Sequence, residues 1–436
     1  MMFPVRLLSL CALVTAIAPA HAALTPAERT MIATVEEEKE RSITLLGQLV
    51  GINSGTMNLP GVEMVARRAR TEFEALGFDV RWVPMNEVGR AGHLIARKSG
   101  DGRGKRLLLI GHLDTVFEPD SGFDAFTRRD DRLEGPGVSD DKGGIVAIVA
   151  ALRAMRAAGT LAAADITVFL TGDEERVGIP RAVSRRDLLE AAEAADVALD
   201  FEPIAHPGGI EQGSVSRRSS IAWTLRATGR SGHSSRVFSA EAGYGALYEM
   251  ARILDRFRRE LPEAGLTYNA GLMVAGATAG LNDSDTGGSA SGKNNIIAGQ
   301  AVARGDIRAL TDEQSARVRE RMAAIIADHL PGTDATIEYS EGYPAMPATD
   351  GNRAILGALN EINADLDLAP MPALDPLLRG AGDISFVASR IDGLAGMGPA
   401  GDRGHSAGET VSAQSLIRQA KRAALLMFRL SRTPRR

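Results

Sequence analysis

The chain has 436 residues, with 50 Lys and Arg against 55 Asp and Glu, and 44% of its residues are hydrophobic. This length and apolar content predict two or three domains with ordinary packed cores. The net charge of −5, with both signs interspersed, argues against a nucleic-acid-binding surface, because such surfaces concentrate Lys and Arg. The composition also excludes a collagen-like or disordered chain and a disulfide scaffold.

The N-terminal residues have the pattern of a secretory signal peptide. Arg6 precedes an apolar stretch over residues 7–18, and Ala20-His21-Ala22 has the small residues of a cleavage site. The stretch falls short of the ~20 apolar residues that span a bilayer, which disfavours an uncleaved anchor. We therefore predict cleavage after Ala22 and a periplasmic or secreted product. Cys11, the only cysteine, would leave with the signal, so a disulfide or a thiol nucleophile is not expected.

After the signal, segments of helical periodicity alternate with short apolar runs that end in polar clusters. Such runs between helices are typical of buried parallel strands, so we expect an α/β domain. The predicted helices cover residues 24–50, 61–76 and 143–159, and the predicted strands cover residues 106–110, 166–170 and 197–199.

From Ser214 the pattern changes to strand, helix, strand, strand, helix and strand. These elements are predicted over residues 219–227, 240–259, 272–275, 301–308, 312–329 and 335–339. This order is that of a ferredoxin-like α+β domain, here inserted into its host. Residues 277–293 are rich in Gly, Ser, Asp and Asn, which predicts a mobile loop. The host resumes with helices over residues 352–364 and 413–430, which gives segments 1–22 (signal), 23–213, 214–341 and 342–436.

Acidic residues and histidines follow the predicted strands of the host domain. Because functional groups of α/β sheets collect beyond the carboxyl ends of strands, these clusters are expected to converge. Two histidines with several carboxylates are ligands for divalent metals such as zinc, and their number favours a paired centre with one bridging carboxylate. The clusters are His112-Leu113-Asp114, Asp140-Asp141, Asp173-Glu174-Glu175, Glu202 and His405.

Two local patterns add roles within this set. In His112-Leu113-Asp114 the first and third residues of an extended segment point to the same side, so Asp114 can orient the imidazole. The adjacent Glu174 and Glu175 can supply one metal ligand and one general base. Each pattern alone is common on protein surfaces, but their joint occurrence favours a site.

The motifs H-x-D-T-V, G-P-G-x-x-D-D-K-G-G, D-E-E, F-E-P and a late G-H occur in this order from about residue 40 to the C-terminus. In this they resemble the carboxypeptidase G, acetylornithine deacetylase and succinyl-diaminopimelate desuccinylase family of dizinc hydrolases. The resemblance implies a zinc-exopeptidase-like three-layer α/β catalytic domain with an inserted ferredoxin-like lid and dimerisation domain. It also implies two Zn²⁺ per subunit, with Co²⁺ or Mn²⁺ as substitutes, and a homodimer formed through the lid.

The resemblance also implies roles for individual residues. Asp140 would bridge the two ions, Glu174 would be the general base and Asp114 the partner of His112. Two neighbours leave the register open, since Asp141 could replace Asp140 and Asp200 could replace Glu202. The remaining ligands would be His112 and Glu202 for one ion, and Glu175 and His405 for the other.

In the lid, His233 matches the family histidine that donates to the developing oxyanion, often across a dimer interface. Asn295 and Arg308 match positions that hold the substrate. One departure from the family is Arg217-Arg218-Ser219-Ser220, which stands where relatives usually carry a glycine. Further matches, expected in a wall near the leaving amino acid, are Gly380, Gly382 and Asp383. Three histidines match nothing in the family and are expected to be structural or on the surface: His93, His206 and His329.

The sequence thus predicts an exported, zinc-dependent carboxypeptidase that cleaves the amide bond before a C-terminal amino acid with a free carboxylate, as glutamate carboxypeptidases do. Its partners would be small peptides or N-acyl amino acids, with neither nucleic acid nor membrane. An N-acyl-amino-acid deacylase or dipeptidase with the same centre is the first alternative. A non-catalytic periplasmic binding protein is the second, and it is disfavoured because the full set of ligands and the base is present.

Overall fold

The computed structural model describes residues 24–282 and 286–435, so the predicted signal peptide lies outside the described residues. Before the inserted domain the elements are α1 (Pro26–Glu37), α2 (Lys39–Val50), α3 (Leu59–Ala75), β1 (Asp79–Met85), β2 (Arg90–Lys98), β3 (Leu107–His112), β4 (Thr127–Arg129), β5 (Arg132–Glu134), α4 (Lys142–Ala157), β6 (Ile166–Thr171), α5 (Arg181–Ser184), α6 (Arg186–Glu193) and β7 (Val197–Asp200).

The inserted domain and the returning host segment complete the chain. The inserted elements are β8 (Ile221–Gly229), β9 (Gly232–His233), α7 (Ala246–Glu260), β10 (Thr267–Gly276), β11 (Thr278–Leu281), β12 (Gly288–Ser291), β13 (Ile296–Ile297), β14 (Gln300–Arg308), α8 (Asp312–Ala327) and β15 (Thr333–Tyr339). The returning elements are α9 (Asp350–Asp365), α10 (Ile384–Val387), β16 (Gly393–Ala395), β17 (Gly401–Asp402), β18 (Thr410–Ser412) and α11 (Ala413–Leu430).

Within the described chain, the central sheet has the strand order β1-β2-β6-β3-β7-β16. Strands β6, β3, β7 and β16 run parallel, and β1 and β2 are antiparallel additions at one edge. Alternate residues of β3 face opposite sides: Leu107 and Leu109 join one apolar core, whereas Leu108 and Ile110 join the other. Helices cover both faces, as burial of both sides of a parallel sheet requires. The predicted three-layer α/β architecture is confirmed.

The inserted domain has a separate antiparallel sheet of order β10-β14-β8-β15, packed against α7 and α8. Its own core contains Trp223 of β8 and Phe257 of α7, whose rings meet edge to face at 6.3 Å. This strand order with its two helices is the predicted ferredoxin-like plan. None of the described helices has the length and apolar character needed to cross a membrane.

Two local predictions are wrong. Residues 24–50 form two helices, not one, because the backbone turns at Glu38 and each helix then buries its own face, with Met31 in α1 and Leu46 in α2. The predicted mobile loop over residues 277–293 contains the antiparallel pair β11 and β12, in register from Thr278 opposite Ser291 to Leu281 opposite Gly288. Small residues that favour loops here also form a short ladder of backbone hydrogen bonds.

Candidate active site

The parallel strands bring the predicted clusters to one edge of the central sheet. His112 ends β3 and lies opposite Thr171, the last residue of β6, after which the chain continues to Glu174 and Glu175. On its other side β3 pairs with β7, whose last residue, Asp200, lies opposite Ile110. The clusters therefore share the carboxyl edge, as expected for an α/β sheet.

Asp140 lies between the two predicted histidine ligands. Its Oδ1 is 2.9 Å from Nε2 of His112, and its Oδ2 is 3.1 Å from Nε2 of His405. The same His405 nitrogen is 3.3 Å from Oε2 of Glu175. One ligand atom each of His112, Asp140 and Glu175 lies within 4.8 Å of the others. Residues separated by nearly three hundred positions thus meet around one carboxylate.

The chemistry of this set fits divalent cations. Oε1 of Glu175 and Oδ1 of Asp141 are buried and have no hydrogen-bond donor among the residues that the structure describes. Burial, together with the charge of Asp140, raises the pKa of Glu175 to about 8. Burial and the charge of Glu202 raise the pKa of Glu174 well above its usual range. Acidic groups crowded in this way gain from a positive ion, and imidazole with carboxylate suits zinc-type metals.

Asp114 is fully buried and binds the backbone of both Glu174 and Glu175. Its Oδ1 accepts the backbone N–H of Glu174 at 3.0 Å, and its Oδ2 accepts that of Glu175 at 3.1 Å and the hydroxyl of Thr56 at 2.7 Å. Nδ1 of His112 lies 3.0 Å from the Asp114 carbonyl oxygen and 3.5 Å from its Oδ1. The residue therefore links the orientation of the imidazole to the position of Glu174.

The two register alternatives occupy different places. Asp141 turns inward and accepts the backbone N–H of His112 through Oδ2 at 3.1 Å, whereas Asp140 faces both imidazoles. Asp200 and Glu202 both contact Arg217, at 3.1 and 2.8 Å respectively. Although burial opposes it, the charge of Arg217 lowers the pKa of Glu202, and burial with the charge of Glu202 raises that of Asp200 to about 7.

The predicted lid residues lie apart from this cluster. His233 in β9 pairs with Ile296 in β13, next to Asn295, and its side chain is exposed. Among the described residues its ring bonds only to Ser235. Arg308 ends β14, and a Cβ placed on Gly380 would lie 3.9 Å from its Nη1. Arg308 and Gly380 are thus neighbours, whereas His233 and Asn295 form a second group in the lid.

Several residues that shape the site have no role predicted from the sequence. Arg217 was noted as a departure, and its Nε donates to the Gly380 carbonyl at 2.8 Å. Arg379 adds a second ion pair to Glu202 at 3.0 Å. Glu409 stands four residues after His405, and that proximity is the available signal.

A further unassigned group is a buried ion-pair network below the site. Arg185 joins Asp173 at 2.6 Å and Asp383 at 2.9 Å, so the side chain of Asp383 is part of this network. The unmatched histidines make contacts within the fold: His93 contacts the Ser184 carbonyl, His206 that of Gly401, and His329 lies near Glu249.

Two histidines and a glutamate around a shared aspartate, with a second glutamate held beside them, define a metal-dependent hydrolase. Residues 108–429 match the model of peptidase family M20/M25/M40. The match covers more than half of the chain, so the chain belongs to this family, and the predicted family and enzyme class are confirmed.

Individual relatives agree with this placement. The chain is 28% identical over 334 residues to carboxypeptidase G2 of Pseudomonas sp. (strain RS-16), covering 76% of this chain and 74% of that protein. It is also 28% identical over 384 residues to succinyl-diaminopimelate desuccinylase of Acidiphilium cryptum (strain JF-5), covering 86% and 94%. A dinuclear metal-binding peptidase of the M20 family from Bacillus subtilis has the same fold, with a TM-score of 0.64 at 17% identity and coverage of 91% and 99%.

Proposed function

We propose that this hydrolase is an exported, zinc-dependent carboxypeptidase that cleaves the amide bond before a C-terminal amino acid with a free carboxylate. The observation that carries the proposal is the path of contacts from the predicted metal ligand Glu202 to Arg308. Arg217 binds Glu202 through Nη2 and the Gly380 carbonyl through Nε, and Gly380 lies beside Arg308. An amide carbonyl at the cluster would therefore have a cation within reach of the carboxylate that follows it.

Arg308 and its surroundings suit an anion. Its Nε donates to Asp306 at 2.8 Å, and the planar guanidinium can pair bidentately with a carboxylate. Arg218 is only 7% exposed and forms no ion pair with any described residue. Its Nη1 donates at 2.8 Å to Thr267, which lies opposite Arg308 in the sheet. Two guanidinium groups in one region favour a negatively charged substrate.

The residues of the cluster have separate roles in proton transfer and metal binding. Glu174 takes a proton from the attacking water and passes it to the leaving amine. Its backbone is fixed for this task, since its N–H donates to Asp114 and its carbonyl accepts the Tyr343 hydroxyl at 2.7 Å. Two zinc ions, replaceable by cobalt or manganese, would supply Lewis-acid charge at the scissile carbonyl. Their proposed ligands are His112 and Glu202, Glu175 and His405, and the shared Asp140.

His233 is the proposed donor to the oxyanion. Its Nδ1 accepts the backbone N–H of Ser235 at 3.2 Å, which leaves the ring proton on Nε2. Because His233 is exposed and separate from the cluster, we propose a homodimer in which a lid covers the site and brings this group to the substrate. Light scattering on the purified protein tests the dimer, and cell fractionation tests export by residues 1–22.

Metal analysis combined with a matched substrate pair tests the reaction. We expect two zinc ions per chain and hydrolysis of N-acyl-glutamates or dipeptides with a free α-carboxylate. The same compounds with an α-carboxamide should lose about 10–100-fold in kcat/KM, because the half-buried Arg308 would lose a hydrogen bond to a charged partner. Equal rates on acid and amide, or a metal-free active protein, would contradict the proposal. An inactive protein that binds these substrates would favour the binding-protein alternative.

A second candidate is an N-acyl-amino-acid deacylase that uses the same centre. It is favoured by the similarity to the succinyl-diaminopimelate desuccinylase, because that match covers 94% of the relative. The two candidates differ in which half of the substrate controls the rate. A panel that varies the acyl group and the leaving amino acid separately distinguishes them, since a deacylase discriminates mainly between acyl groups.

A further inference from the structure

Glu409 is a fully buried carboxylate that contacts the loop carrying Asp140. Its Oε1 accepts the backbone N–H of Ser139 at 2.8 Å, the Ser139 hydroxyl at 2.8 Å and the backbone N–H of Asp140 at 3.0 Å. Its Oε2 accepts the backbone N–H of Gly137 at 3.0 Å. Four donors, three on Oε1 and one on Oε2, therefore hold this carboxylate in one orientation toward the loop.

Glu409 is also part of the loop that carries His405. Its backbone N–H donates to the Ser406 carbonyl at 3.1 Å, and its own carbonyl accepts the N–H of Gly135 at 3.1 Å. His405 itself is 57% exposed, so few side-chain contacts fix its position. Arg403 and His405 both have φ of 60°, a left-handed conformation that non-glycine residues seldom adopt. The loop therefore depends on an anchor at its base.

We propose that Glu409 is a positioning residue that fixes the spacing between Asp140 and His405, and that it thereby sets the affinity for metal. The inference rests on the proposed metallohydrolase function. Asp140 must keep one oxygen toward His112 and the other toward His405, at 2.9 and 3.1 Å. One carboxylate bonded to both loops holds this spacing before a cation arrives.

A purely structural role would give a different result. Glu249 provides the matched control, because it is also fully buried and accepts the backbone N–H of Leu330 at 3.0 Å and two bonds from Arg252, but it lies in the lid core. Substitution of either glutamate should lower the thermal midpoint of the metal-free protein. Only substitution of Glu409 should change metal binding.

The test is a zinc titration of the metal-free full-length mature chain by competition with a chelating dye, for the wild type, E409Q, S139A and E249Q. We expect E409Q to weaken zinc binding about 10–100-fold, as loss of a group that orients ligands does elsewhere. S139A, which removes only the hydroxyl donor, should weaken binding by a smaller factor, and E249Q should bind as the wild type does.

Several results would overturn the proposal. It fails if E409Q binds zinc within about twofold of the wild type, or if E249Q weakens binding as much as E409Q does. Should E409Q not fold, unchanged zinc binding by S139A would overturn it. The titration involves no substrate, so a wild type that binds zinc but cleaves none of the proposed substrates refutes the carboxypeptidase proposal and leaves this one standing.

Discussion

Substitution of Asp114 by Asn separates the position of Glu174 from the composition of the metal site. The two oxygens of Asp114 accept different numbers of hydrogen bonds. Oδ1 accepts the N–H of Glu174, whereas Oδ2 accepts the N–H of Glu175 and the hydroxyl of Thr56. An asparagine must present its NH₂ group at one of these positions. At Oδ1 it opposes one hydrogen-bond donor, with Nδ1 of His112 further away at 3.5 Å, and at Oδ2 it opposes two, so we expect it at Oδ1.

The expected decrease in kcat follows from the hydrogen bond that D114N removes. The N–H of Glu174 would face another donor and lose a hydrogen bond to a charged group, which contributes about 1.5–3 kcal/mol. Since 1.36 kcal/mol corresponds to about tenfold in rate, kcat should fall about 10–150-fold if the whole loss is felt by the general base. The ligand Glu175 keeps its contact with Oδ2, and Nδ1 of His112 keeps the backbone carbonyl of residue 114 at 3.0 Å, so the metal content at saturating metal should not change.

The assay is kcat at saturating metal, with metal content by mass spectrometry and the thermal midpoint measured on the same sample. T56V is the matched control, because it removes a donor from Oδ2 only and should keep kcat within about threefold of the wild type. A D114N protein with wild-type kcat, or one that loses its metal, would refute the reasoning. An equal loss in T56V would show that the bond to Glu174 is not the cause.

Three further predictions address catalysis, stability and pH. Glu174→Ala should bind metal fully and lower turnover by about 10²–10⁴ in a steady-state assay, because the proton acceptor is gone; near-normal turnover would exclude Glu174 as the base. Arg185→Met should reduce the free energy of unfolding in urea by about 3–5 kcal/mol, since two buried carboxylates lose their partner, and an unchanged midpoint would contradict this. The hydrogen bond from Arg106 lowers the pKa of Asp196, so the pair stabilises the fold above the ordinary carboxyl pKa and less as the pH falls. D196N should therefore be less stable than the wild type at neutral pH and approach it below about pH 4, whereas a constant difference across pH would argue against the ion pair.

The buried strands and the motifs that follow them were predictable because their signals are local. The apolar run that becomes β3 is buried throughout and ends directly at His112. Strand β1 lacks such a local signal. Strand β1 alternates exposed and partly buried residues at the edge of the sheet, and Pro84 and Gly92 interrupt the pattern where the register shifts. Edge strands owe their structure to pairing with a neighbour, which a short sequence window does not contain.

Contacts between distant segments account for the other omissions. Arg379 reaches Glu202 from 177 positions away, and Glu409 reaches Ser139 across 270. Arg379 lies in no pattern with a known spacing, and the position of Glu409 four residues after His405 carries no information about its pairing with Ser139. Only the order of the strands brings these segments together, and the strand order follows from the whole fold.

The ion pair between Arg217 and Glu202 requires a glycine at position 382. A Cβ on Gly382 would lie 2.2 Å from Nη1 of Arg217 and 2.4 Å from Oε1 of Glu202, so a side chain here would collide with the ion pair. With glycine in place, Arg217 and Arg379 both neutralise Oε2 of Glu202. Among the described residues Glu175 has no arginine partner, the imidazole of His405 lies 3.3 Å from its Oε2, and its Oε1 lacks a donor. Glu175 and Glu202 thus differ in charge balance, and an incoming cation relieves more repulsion beside Glu175 than beside Glu202.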